Sequence, residues 1–143
     1  MSYYRGKWRN IYELLKKGDY LTAFTNIERT RIFHTRITAI RKIHTPLTKL
    51  CDQIISLDIK NFREYRDELS AEVARNLVVV RYQSERGLID RDLASAIISV
   101  LMDLDKALKI GDEKRALDES RDVAKKLRLF LDSIIAFHYN SLK

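Results

Sequence analysis

A single proline, Pro46, falls within 143 residues, and only four glycines accompany it. Proline removes a backbone donor and glycine adds conformational entropy, so a chain with so little of either can sustain long regular elements. Apolar residues recur at three- and four-residue intervals over most of the length, the period of an amphipathic helix. The expected fold is all-α, a compact bundle of about five to six helices joined by short turns. No linker divides the chain. Residues 1–143 read as one domain, with 1–34 as an added N-terminal helical hairpin and 35–143 as the main bundle.

The spacing predicts a first helix from Lys7 to Lys17, stopped by Gly18, and a second from Tyr20 to Phe33 capped by Asp19. A third stretch covers Thr35 to Leu57, with Ile37, Ile40, His44, Leu47, Cys51 and Ile54 on one stripe. Thr45-Pro46 suits a cap followed by a first helical position, so this stretch is either two helices or one kinked helix. A fourth runs from Asn61 to Arg86 with Leu69, Val73, Leu77 and Val80 inward; its Leu77–Val80 run is β-rich, but helical periodicity flanks it. Gly87 ends it. Asp90 caps a fifth helix to Ile110, and Gly111-Asp112 turns into a last helix ending at His138. The segments Leu15–Asp19 and Leu108–Asp112 echo each other, with Ala23 and Ala116 five residues past each glycine. A glycine stop followed by an aspartate cap explains both locally.

Charge is distributed unevenly. Residues 1–56 hold 11 Lys/Arg and 4 Asp/Glu, whereas 57–143 hold 16 of each, so the whole net charge of +7 lies in the first part. Such a one-sided basic segment attracts polyanions, nucleic acid first; the alternative is a solvated basic surface with no partner. One cysteine excludes an internal disulfide, so a reducing, cytoplasmic setting is expected. No apolar run approaches a membrane span, and the start lacks the apolar stretch of a signal peptide.

Catalytic and metal motifs are thin. His44, Cys51 and Asp52 share one helical stretch, but no paired cysteines or His-x-x-His spacing completes a metal site. No Walker loop and no Gly-x-Ser-x-Gly elbow occurs. No cofactor or metal is expected. Arg29 to His34 matches the Arg-x4-His pattern of the helical HEPN ribonucleases, in which arginine steadies a phosphate and histidine moves a proton. The competing role for this pair is surface contact or capping.

Phosphate binding needs cations on a rigid face rather than a pocket. Thr38, Arg41, Lys42, Thr45 and Lys49 approximate one such face. Arg75 and Arg86 are aligned on the fourth helix, with Arg81 on a different side. Lys125, Lys126 and Arg128 are diluted by nearby acids and read as intrahelical ion pairs. At the N-terminus Tyr3, Tyr4, Trp8 and Tyr12 interleave with Arg5, Lys7 and Arg9. This suits either a single-strand contact arm or an amphipathic helix docking a protein partner through Trp8, Ile11, Tyr12 and Leu15.

Three stretches together resemble the small helical subunit of type III (Csm-type) CRISPR effector complexes. Ile37-Thr38-Ala39-Ile40-Arg41-Lys42 is similar to the family's Thr-x-Ile-Arg-Lys segment. Glu68-Leu69 through Arg86 is similar to its long helix ending in Arg-x-x-x-x-Arg. Phe130 to His138 is similar to its C-terminal Phe-x-x-x-Ile-Val-Ala-Tyr-His. The resemblance covers 37–138 and leaves 1–34 without a counterpart. It implies a non-enzymatic subunit that contacts the phosphates of crRNA and target RNA, meets other effector subunits and stacks with copies of itself. Arg41 and Lys42 become the leading RNA contacts, followed by Arg36, Lys49, Arg75, Arg81 and Arg86, and His138 takes a packing or hydrogen-bonding role. The other readings kept open are a HEPN-like ribonuclease and a protein-binding adaptor docking through Trp8 and Tyr12.

Overall fold

A computed structural model describes residues 6–142. Six α-helices account for nearly all of them: α1 (Lys7–Lys16), α2 (Tyr20–Arg29), α3 (Ile37–Ser56), α4 (Ile59–Glu85), α5 (Arg91–Leu108) and α6 (Glu113–His138), followed by one 3-10 turn at Tyr139–Ser141. Helices α3 to α6 form an up-down-up-down four-helix ring in which each packs on the next and α6 closes back onto α3. The α1–α2 hairpin lies across the α5–α6 side. The outer side of α3 and α4 is left uncovered by it.

Sequence explains the boundaries. Gly18 (φ +82°) and Gly87 (φ +69°) end α1 and α4 in the left-handed conformation. At each, two backbone bonds close the helix: Gly18 N–H to Leu15 and Asp19 N–H to Leu14, then Gly87 N–H to Ser84 and Leu88 N–H to Gln83. This satisfies carbonyls that a bare helix end leaves unpaired. Asp90 accepts from the Asp92 and Leu93 amides, and Asp112 from Arg115, as capping predicts. Asp19 does not; its side chain makes no cap bond to α2. Two arginines close helix ends from a distance: Arg66 donates to the Leu108 and Ile110 carbonyls, and Arg121 to that of Leu57.

Two open readings are decided, and one boundary differs from the spacing argument. Pro46 neither ends nor splits α3, which is continuous from Ile37 to Ser56. The β-rich Leu77–Val80 run is helical within α4. Helix α2 stops at Arg29, four residues early, because residues 30–36 form a non-helical loop tied by hydrogen bonds to the α4–α5 turn described below.

One contiguous core runs through all six helices. It includes Trp8, Ile11, Tyr12 and Leu15 from α1, Ala23 and Ile27 from α2, and Phe130, Leu131 and Ile134 from α6. The Trp8 ring meets Phe130 and His138 edge-on, at 6.2 Å and 6.0 Å between centroids. His138 Nε2 donates to the Ile27 carbonyl at 2.6 Å, the hydrogen-bonding role expected of it. Trp8 and Tyr12 are 1% and 2% exposed. This corrects their reading as a docking surface for a protein partner. The periodicity is that of a docking helix, but the surface it docks onto is the chain's own bundle. Tyr3, Tyr4 and Arg5, the other part of the expected N-terminal arm, lie outside the described residues.

Candidate nucleic-acid interface

From Arg29 through Cys51 the sequence contains six Lys/Arg and no acidic residue. Helix α3 sorts its share of this stretch into two faces. Ile40, Ile43, Leu47, Leu50, Cys51 and Ile54 turn inward, and Thr38, Arg41, Lys42, Thr45 and Lys49 are exposed. The five residues expected to share a face of α3 therefore lie on one solvent-facing stripe. Arg41 leans toward the α6 side, where its guanidinium donates to the Tyr139 hydroxyl at 3.4 Å.

Helix α4 runs back beside α3, and the two are pinned in register at one end by the Arg36 N–H, which donates to the Leu88 carbonyl at 3.0 Å. Arg36 and Arg86 thus share that end of the bundle. At about 1.5 Å per residue, Lys42 lies about 9 Å and Lys49 about 20 Å down α3, and Arg75 about 16 Å down α4. Arg75 lines the α3–α4 groove with Gln53 and Leu57. Arg36, Arg41, Lys42, Lys49, Arg75 and Arg86 are all exposed and distributed along this uncovered side. Arg81 is exposed but not part of the group. At 100° per residue it lies about 120° around α4 from Arg75, on the side of Ala74 and Leu77 that faces α5.

Electrostatics sharpens the pattern. Among the described residues, Arg36, Arg41, Lys42, Lys49, Arg81 and Arg86 form no ion pair, whereas Arg75 pairs with Glu72 one turn away. Arg86 instead lies 5.4 Å from the exposed Tyr82 ring. Acids outnumber cations at the opposite end of the same two helices, where Asp52, Asp58, Glu64, Asp67 and Glu68 are set against Lys60, Arg63 and Arg66, whereas Glu85 is the one acid beside Arg86 on α4. The basic surface is therefore concentrated at the Arg36–Arg86 end. In α6, Lys114–Asp118, Arg115–Glu119, Lys126–Asp122 and Arg128–Asp132 pair four residues apart, as the spacing suggests for Lys126 and Arg128, whereas Lys125 forms no ion pair among the described residues.

The remaining candidates go elsewhere. His44 Nε2 donates to Asp132 at 2.9 Å, and Asp52 pairs with Arg128. Cys51 is fully buried, and burial, reinforced by Asp52, pushes its thiol up to about 12. Arg29 ends α2 while His34 lies in the following loop, so the Arg-x4-His pair is not carried on one helix face. That loop also exposes Arg31 and Phe33, which the spacing argument passes over by continuing α2 through them. No helix among the described residues is long and apolar enough to cross a membrane.

Comparisons with models of protein families, with curated proteins and with solved structures give no match.

Proposed function

We propose that this chain is a non-catalytic RNA-binding subunit that holds phosphate backbone along the α3–α4 side, in the manner of the small subunit of a type III CRISPR effector complex. The observation that carries this reading is the exposed, unpaired cation set Arg36, Arg41, Lys42, Lys49 and Arg86, set on paired rigid helices and for the most part in a segment free of acids. Cations on a rigid face fix a nucleic acid in register without reading its bases. The resemblance over 37–138 narrows the ligand to crRNA and target RNA. The partners proposed with it are other effector subunits and further copies of this chain, in the cytoplasm. Cleavage is assigned to those other subunits.

The test is anisotropy of labelled RNAs of unrelated sequence, titrated over a range of salt. Arg41→Glu combined with Lys42→Glu should weaken binding of all of them alike and lower the salt slope by about one for each phosphate no longer neutralised. The helical circular-dichroism signal should be unchanged. Wild-type binding that is absent or indifferent to salt would overturn the reading. So would a loss confined to one RNA sequence. Recovery of repeat-derived guide RNA with the tagged chain from its host tests the narrower assignment. Metal-independent RNA cleavage by the wild type, abolished in His34→Ala, would replace it with the ribonuclease reading.

A further inference from the structure

The exposed loop at residues 30–36 is held by bonds to residues far away in the sequence. The Phe33 N–H donates to Asp90 Oδ2 at 2.8 Å, and the Thr35 hydroxyl donates to the Phe33 carbonyl at 3.0 Å. The Asp90 N–H in turn donates to the Thr35 hydroxyl at 2.7 Å, and the Arg36 N–H to Leu88. These bonds hold His34 at φ 46°, a conformation that side chains other than glycine seldom adopt. A left-handed residue held by its surroundings is a reason to ask what the loop presents. Asp90 is buried, and its carboxylate accepts from three amides rather than pairing with an arginine.

What the loop presents is chemically specific. The Arg31 guanidinium lies 5.0 Å from the centre of the Phe33 ring, which is 51% exposed. Arg31, Phe33, His34 and Arg36 line a cleft of about 550 Å³ that extends to Gly87 and Ser141. That volume is within the range of small-ligand sites. A guanidinium stacked on a phenyl ring is a flat platform for a nucleobase, and the flanking cation and imidazole suit its phosphate.

We infer that this loop holds one unpaired nucleotide of a single-stranded RNA, its base stacked on the Arg31–Phe33 pair and its phosphate on Arg36 and His34. The inference rests on the RNA-binding reading and narrows it: the α3–α4 side grips backbone of either strandedness, and the loop selects single strands. The probe is a short RNA carrying one 2-aminopurine, whose fluorescence falls on stacking, offered single-stranded or paired with its complement. The full-length wild type should quench the single strand further and leave the duplex signal, already dim from stacking within the helix, unchanged. Phe33→Ala should abolish quenching and weaken single-strand binding roughly tenfold or more, with duplex affinity unchanged, and Phe33→Tyr should restore both. Arg31→Ala is the second variant, should Phe33→Ala fail to fold. If Phe33→Ala, or Arg31→Ala in its place, quenches and binds like the wild type, the loop site is overturned while backbone binding stands. A wild type that binds neither single strand nor duplex overturns both.

Discussion

Cys51 lies fully buried on the inner face of α3, and Tyr12 is almost equally enclosed by α1, α5 and α6, edge-on to Phe130. Burial raises the Cys51 thiol to about 12, with Asp52 adding to the shift, and burial followed by Asp103 lifts the Tyr12 hydroxyl above its ordinary 10.0. Both groups are therefore neutral in the fold at pH values where the unfolded chain has begun to ionise them. The stability each contributes is complete below its unfolded pKa and is lost as pH climbs toward its folded one. For Cys51 that window opens near 9 and closes near 12. Urea midpoints should be level around neutrality and fall through this range. Cys51→Ala, although less stable at neutral pH because of the cavity it leaves, should fall less steeply than the wild type. A gap between the two that is constant from pH 7 to pH 12 would contradict this account.

At the scale of elements, Pro46 is the residue whose effect local sequence could not decide. Thr45-Pro46 fits the start of a helix as well as the middle of one, and only packing on α4 and α6 distinguishes them. Ile40, Ile43, Leu47, Leu50 and Ile54 lie on both sides of the proline and share one buried face, so breaking the helix would misalign that face. The core thus outweighs the proline. The cost is still present, because Pro46 has no N–H for the Lys42 carbonyl four residues back. Pro46 is exposed, so Pro46→Ala leaves the core packing intact. It should raise stability by about 1–3 kcal/mol, after allowing for the greater freedom of the unfolded variant. Thermal and urea unfolding measure this, and a less stable variant would mean that the proline is not a strained insertion. The loop after α2 is illegible in the sequence for the opposite reason. Residues up to Phe33 continue the helical pattern, and the bonds that end α2 early come from Asp90, 57 residues further on. Local spacing identifies Asp90 as the cap of α5; its second task, holding Phe33, depends on the tertiary fold.

For the whole molecule, the six-helix plan and the α3 basic stripe are legible in the sequence because both follow from residue spacing and charge. The arrangement of the helices is not. Nothing in the periodicity of Trp8, Ile11, Tyr12 and Leu15 says whether they meet another protein or the chain's own α5 and α6. The structure answers through particular contacts. Trp8 touches Phe130 and His138, its backbone N–H donates to Asp92 at 3.3 Å, and His138 ties α6 to Ile27 of α2. Gly6 fits against Asp92 so closely that a Cβ there would lie 1.5 Å from its carboxylate oxygen. These contacts predict a cooperative consequence. If the hairpin were an appendage, Trp8→Ala would loosen α1 and α2 and leave the unfolding of α3 to α6 unchanged. With Trp8 in the common core, its removal should lower the stability of the whole domain by about 3–5 kcal/mol, as truncating a buried aromatic does. Urea unfolding followed by circular dichroism should show one transition at a lower midpoint. Hydrogen exchange should show α5 and α6 amides losing protection in step with α2. Separate transitions, or unchanged protection in α5 and α6, would restore the hairpin as an independent unit.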